Sequence, residues 1–446
     1  VSVSMPRWQD VIDYEEGRPR VLAKLRSGYP RFQLHPAVHE INAAAGGVLF
    51  ASRRAAESCL AFVEGAGAGG RLVTWRGVFG VSVAGGGEKK ALEFWQHSGE
   101  IVSSRRAQAL LTGDPAPAQS DGPRRTLRDR IAGLCAAASE DVFLFPSGMS
   151  SIYNVHAVLQ GVRGAARPSV QFGFPYIDSL KVQEKLGPGA HFFPLGDDPE
   201  LDQLAALLEG PEAARPSAVF TEMPSNPLLR SVDLPRLSAM TRRAGLPLVV
   251  DDAIGAFVNQ DLLPHADVLV ASLTKYFVGS GDVMGGAAVL NPRSPFREAL
   301  ARGLEARRPF GLFEEDVQVL EAGSRDLAAR MTRVNENGAR LCAALAAHPA
   351  VARVYYPLYE TREHYEACLR PGGGYGGLFS MLLVGGARKT AAFYDALPLR
   401  KGPSFGLRDS IACPYTLLAH YKELDWAAQA GISADLIRVS VGQEDA

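Results

Sequence analysis

Residues 272–286 read SLTKYFVGSGDVMGG and set one lysine, Lys275, between small hydroxyls and a run of glycines. A lysine is ordinarily a solvated surface group. The run before it, ADVLVASL, is apolar enough for a buried strand of a parallel sheet, which puts Lys275 where that strand ends. In open α/β sheets ligands bind at that edge. A partly desolvated lysine there sheds its proton and can form a Schiff base with a carbonyl.

Five other clusters carry residue types suited to the same edge. FPSGMSSIYNV places Gly148 and Met149 between a strand and a helix, as an ordinary cap or as N–H donors for a phosphate. LVVDDAIG ends an apolar strand in Asp251 and Asp252. A buried carboxylate there needs a partner: a cap, a salt bridge, or a ligand's ring nitrogen that becomes protonated. TEMPSNPLLR puts Asn226 in a turn after a strand, either an Asx-type turn or an amide for a ligand oxygen. FGFPYIDSL supplies Phe172, Phe174 and Tyr176 for the core or for stacking on a flat ligand, and RVSVG supplies Arg438, a surface arginine or a bidentate carboxylate clamp.

The elements that must position these groups follow from patterning. DVFLFPSG, PSVQFGFP, SAVFTEMP, LPLVVDDA, ADVLVASL and GGAAVLNP are short apolar runs, several of them separated by helical segments, which predicts crossover units and a mostly parallel sheet over about 120–292. Before it, a start rich in Pro and aromatics and a Gly/Ala-rich stretch read as a separate N-terminal unit with some strand content. After it, EEDVQVLEAGSRDLAARMTRVNENGARLCAALAAHP predicts a long helix broken near 335–338. VARVYYP, GGLFSMLLVG, KTAAFYDAL, SFGLRDSIACP and LIRVSVG then predict a smaller α+β domain. The expected units are 1–115, with contacts between subunits, 116–295 and 296–446.

Composition narrows the ligands. The 446 residues are 47% hydrophobic and 21% charged with a formal net charge of -1, as in soluble globular proteins with more than one core. Near-zero charge leaves no electrostatic footprint for nucleic acid or anionic membrane, so small-molecule ligands are expected. The five cysteines show no metal spacing, which predicts a reducing, cytoplasmic compartment and no bound metal. No run approaches the ~20 apolar residues of a membrane span.

In this order, the glycine turn, aromatic, PSNPLL, VVDDA, SLTK with DVMGG and the late arginine resemble the cystathionine γ-synthase-like, pyridoxal-phosphate-dependent enzymes of Cys/Met metabolism. YEEGRPRVLAKLRSGYPRF, WQHSGEIVSSRRA, ACPYTLLAHYKELDWA and LIRVSVGQED are similar to the fungal-type branch. The resemblance implies an α/β fold of the PLP-dependent aminotransferase-like type (fold type I), a homo-oligomer, and pyridoxal 5'-phosphate on Lys275. It implies phosphate contacts from Ser272, Thr274, Gly148 and Met149. Asp251 would hold the ring nitrogen protonated, which makes the ring an electron sink. Asn226 would lie near the cofactor's phenolic oxygen and the substrate, and Arg438 with Ser404 would take the substrate carboxylate. The stacking aromatic, with a part in proton transfer if a phenol, falls on Tyr176 or Phe174. Arg105 or Arg106 would reach a neighbouring subunit's phosphate.

The implied reaction is γ-replacement on an O-acyl-homoserine, through a vinylglycine-type intermediate captured by cysteine or a carbon nucleophile. The alternatives are a β- or γ-elimination lyase acting on cystathionine or a related amino acid, and a non-catalytic member of the fold.

Overall fold

The computed structural model describes residues 3–445 except 27, 30, 115–120, 165, 212–215 and 308–310, so the boundary expected at 115 lies outside the described residues. Three sheets organise the chain. A small antiparallel sheet joins β1 (Val48–Leu49), β2 (Gly70–Trp75) and β3 (Val78–Val83), with β3 central. The central sheet holds β4 (Val142–Phe145), β5 (Ser169–Phe172), β6 (Ala190–Phe193), β7 (Val219–Glu222), β8 (Leu248–Asp251), β9 (Val268–Ser272) and β10 (Gly286–Leu290). Its order is β4-β10-β9-β8-β7-β5-β6, parallel from β9 through β6, with β10 antiparallel to both of its neighbours. The third sheet contains β11 (Val351–Tyr355), β12 (Leu378–Leu383), β13 (Arg400–Lys401), β14 (Ile411–Pro414) and β15 (Ile437–Ser440), in the order β11-β12-β15-β14-β13.

The strands of the central sheet are apolar at successive positions because both faces are covered. Leu144, Val219, Val250 and Leu269 enter one core, and Phe143, Phe220, Val249 and Val268 enter the core on the opposite face. The parallel strands other than β6 appear as the patterning predicted, with helices between them. β6 was missed because it is only half-buried, where the other strands of this sheet are buried at nearly every position.

One expectation is corrected. The long helix is not broken near 335–338: it breaks around 324–326, between helices Glu314–Gly323 and Leu327–Ala346, and runs unbroken through Gly338. Gly338 serves close packing, since a Cβ there would collide with the Gly376 carbonyl oxygen and lie 3.1 Å from Gly377 Cα. Gly338→Ala is accordingly expected to destabilise the protein by about 2 kcal/mol despite alanine's better helix propensity, as read by thermal or urea unfolding.

The stretch before residue 115 contributes to two cores. Residues 37–111 supply most of a core of their own around Ile41, Phe50 and Trp95, whereas Val3, Met5, Trp8 and Val11 join the core of the C-terminal sheet. Tyr394 donates its hydroxyl to the Met5 carbonyl at 3.0 Å, and the Trp8 amide donates to Asp395 at 2.7 Å. Apolar spacing in so short a segment does not say which distant surface receives it. No helix among the described residues is long and apolar enough to cross a membrane.

Candidate active site

The edge at which β7, β8 and β9 end carries Glu222, Asp251 and Ser272 side by side, and the turn after β4 brings Gly148 to the same edge. Glycines make that approach possible. A Cβ on Gly148 would lie 2.7 Å from Ser272 Cβ, and one on Gly286, at the start of β10, would run into the Ser147 carbonyl. The second glycine of DVMGG is therefore a packing requirement. Ser147 caps the helix Gly148–Arg163, accepting from the Ser150 amide at 3.1 Å and donating to the Gly99 carbonyl at 2.8 Å. The amides of Gly148 and Met149 begin this helix beside Ser272, an arrangement suited to an anion.

Lys275 follows β9 in a tight irregular turn whose backbone leaves helical geometry at the lysine itself (φ -85, ψ -135). Its Nζ donates to Tyr29 Oη at 3.0 Å and to Ser404 Oγ at 3.4 Å, and lies 4.9 Å from the Phe405 ring centroid. Thr274 is buried and accepts from the Gly285 amide at 3.2 Å. One cavity is lined by Lys275, Ser272, Thr274, Gly148, Met149, Asp251, Asn226, Tyr176 and Arg438, so the structure brings these expected residues together. Ser404 adjoins it through Lys275.

Asp251 accepts one backbone hydrogen bond, from Ala253 at 2.9 Å, and burial pushes its carboxyl up to about 7. Glu222 pairs with it across the strands, and burial followed by the charge of Asp251 drives Glu222 well above the usual range. Such a pair stands to gain from a cation supplied by a ligand. Asp252 turns away from the cavity and accepts from the Phe257 amide at 3.0 Å. Arg438 is buried. It donates to Asn226 Oδ1 at 3.1 Å and to the Pro403 carbonyl at 2.7 Å, and it makes no ion pair among the described residues.

Of the two candidate stacking aromatics, only Tyr176 faces the cavity. Phe174 is packed 5.6 Å from His420 and 5.4 Å from Trp426, centroid to centroid, and lies outside it. The Tyr176 hydroxyl donates to Asp178 Oδ2 at 2.8 Å. Burial alone would raise Asp178, but Arg31 at 3.3 Å and His97 at 3.1 Å hold it well below the usual carboxylate range. Tyr176 thus spends its proton on an anion and offers the cavity its ring. Neither Arg105 nor Arg106 lines this cavity in its own chain: Arg105 binds Asp282 and Asp316, and Arg106 donates to the Ala51 carbonyl.

Sequence reasoning missed Tyr29, Arg31 and Glu222. The first two stand in GYPRF, which was quoted for its resemblance but carries no local pattern pointing to a lysine 246 residues away. Glu222 stands in TEMPSNP, where strand alternation could have placed it beside Asp251. Tyr29→Phe, which removes only the hydroxyl at Lys275, is expected to lower kcat about tenfold to a hundredfold while leaving KM near the wild-type value, as read by steady-state kinetics.

A model of the Cys/Met metabolism PLP-dependent enzyme family matches residues 120–446. The chain belongs to this family. Over its whole length it is 34% identical to a cystathionine gamma-synthase-like enzyme of Amanita muscaria, covering 92% of that protein. It is 33% identical to the cystathionine gamma-synthase of Neurospora crassa, covering 94% of it. The crystal structure of cystathionine gamma synthase from Xanthomonas oryzae pv. oryzae in complex with aminoacrylate and cysteine aligns with a TM-score of 0.63 at 26% identity, over 73% of this chain and 82% of that one. Family membership establishes a pyridoxal-phosphate-dependent enzyme with the α/β fold of these proteins. The residues fit that cofactor: a lysine amine, a helix N-terminus with hydroxyls for a phosphate, and a buried carboxylate in want of a cation meet in one cavity.

Proposed function

We propose that this enzyme replaces the γ-substituent of an O-acyl-homoserine with a nucleophile, cysteine or a carbon acid. The observation that carries the reading is the single cavity in which Lys275, Asp251 and the buried Arg438 converge. Pyridoxal phosphate, when bound, supplies a cationic ring that takes up the electron pair left by a broken Cα–H bond. Gly148, Met149, Ser272 and Thr274 would hold its phosphate, Asp251 its ring nitrogen, and Tyr176 one face of the ring, with Asn226 near its phenolic oxygen.

Arg438 binds the substrate carboxylate, steadied by Asn226 and the Pro403 carbonyl. Lys275 Nζ takes the proton from Cα and then moves one at Cβ. Tyr29 and Ser404 hold that amine on the substrate's side of the cavity. The Cγ–O bond breaks and a carboxylate leaves; the Cγ–nucleophile bond forms, and the proton lost by the nucleophile balances the charge of the departing acid. Homo-oligomerisation and a contact from Arg105 or Arg106 to a neighbouring phosphate belong to the same proposal.

The test supplies the purified enzyme with O-acetylhomoserine, with and without cysteine. Cysteine-dependent cystathionine formation is the expected result. Release of 2-oxobutyrate and ammonia at an undiminished rate with cysteine present, and no cystathionine, would make the enzyme a γ-eliminating lyase instead.

A further inference from the structure

Arg330, on the helix Leu327–Ala346, is a buried cation with 2% of its side chain exposed, and most of its hydrogen bonds go to the backbone. Its Nη1 donates to the Tyr276 carbonyl, and its Nη2 donates to the carbonyls of Phe277 at 3.0 Å and Gly323 at 3.3 Å. Asp326 lies 3.4 Å away, but that carboxylate is half-exposed and closer to Arg408, at 2.8 Å. Taking a guanidinium out of water without a close acid is unfavourable. Arg330 does not line the reaction cavity, so the proposed chemistry gives its charge no direct task. What it satisfies instead is the pair of residues that follow Lys275.

Those two residues need an outside donor. Lys275 breaks the helical path (φ -85, ψ -135), and its own carbonyl takes the amides of Val278 at 3.2 Å and Gly279 at 2.9 Å. The next two carbonyls face the planar fork of Arg330, whose fixed N–H directions hold both in one orientation. The opposite side of the turn is closed as tightly. A Cβ on Gly406 would run into the Tyr276 amide. The Tyr276 hydroxyl meets Ser440 Oγ at 3.1 Å, and that oxygen accepts from the Gly406 amide at 2.8 Å. The lysine turn is therefore gripped between Arg330 and residues 404–406, the segment that also supplies Ser404 to the lysine amine.

We propose that Arg330 is a positioning residue for Lys275: by fixing the carbonyls of Tyr276 and Phe277 it sets the direction in which the lysine amine enters the cavity. This rests on the assignment of Lys275 as the reactive amine. A lysine carries its amine on a flexible four-carbon stem, so the amine is only as well placed as the backbone beneath it. Misplacement of a reacting group by about 1 Å costs on the order of a hundredfold in rate. Lysine in place of Arg330 keeps the charge and loses the fork, which separates geometry from electrostatics.

The test measures how fast Lys275 bonds to its cofactor, with no substrate present. Full-length protein stripped of pyridoxal phosphate is given it back, the rise of the visible band is timed, and borohydride reduction with peptide mapping locates the attachment. Arg330→Lys should slow the rise at least about tenfold while keeping a near-native circular dichroism spectrum. Leu204→Ala, a core truncation in the helix Asp198–Glu209, should lower Tm yet leave the rate within about twofold of the wild type, so that lost stability and lost alignment read differently. Gly406→Ala presses the turn from the other side with Arg330 intact. It should slow the rise likewise, and it decides the matter if Arg330→Lys does not fold. A wild-type rate in the deciding variant, or equal slowing in Leu204→Ala, would overturn the positioning role. Attachment of the cofactor in the wild type at a residue other than Lys275 would overturn the assignment of the reactive amine, and the proposal with it.

Discussion

Lys275→Ala is expected to abolish turnover, lowering kcat by at least about 1,000-fold, and to strip the purified protein of its visible absorption band. Nothing near it can substitute. Among the described residues its Nζ contacts the hydroxyls of Tyr29 and Ser404 and lies over the rings of Tyr29 and Phe405, none of which is an amine. The substitution also shortens a side chain in a turn whose backbone is fixed from both sides, by the Leu273 amide to Gly285 and by the Gly279 amide to the Lys275 carbonyl. The variant should therefore fold with a near-native circular dichroism spectrum. Turnover within tenfold of the wild type would remove Lys275 from the mechanism.

Asp251→Asn should lower kcat by about 100-fold or more, because a neutral amide cannot hold a cationic ring nitrogen. A second readout concerns the cofactor-free protein. Burial raises the folded-state acid strength constant of Asp251 to about 7, above the usual ~4 of an unfolded chain, so the native state holds the extra proton. The stabilisation is complete below pH ~4 and is lost as pH rises through ~7. The difference in Tm between wild type and variant should accordingly fall across that interval and level off above it. A difference independent of pH would mean that Asp251 is ionised in the empty site.

Much of the site could be read in the sequence because each group sits at the end of an apolar run. LVVD, LVAS and VFTE announce strands, and the polar residue closing each one has to emerge at a common edge. What escaped was long-range. Tyr29 and Arg31 lie in a short Pro-containing segment without periodicity, and their use depends on where the preceding helix Trp8–Glu15 docks, a matter settled by the C-terminal sheet. The choice between Phe174 and Tyr176 was likewise undecidable from spacing. Two residues apart, they part company because His420 and Trp426, 246 and 252 positions downstream of Phe174, claim one ring and Asp178 fixes the other. The uninterrupted helix through Gly338 shows the same limit, since the surface that demands a glycine there comes from 376–377.

The docking of the first residues onto the last sheet sets an order of events during synthesis. The bond between Met5 and Tyr394 joins positions 389 apart, and the one between Tyr29 and Lys275 joins positions 246 apart. Trp8 and Val11 therefore leave the ribosome well before the residues that cover them, Tyr394 and Ala427 among them, have emerged. Until then Lys275 lacks Tyr29 as its neighbour, so a nascent or truncated chain that has already folded its central sheet would present the lysine without the machinery that restrains it. Docking of the segment around Met5 and completion of the reactive centre are thereby linked, and a ligand-dependent gain in protease resistance around residues 5–29 would report both.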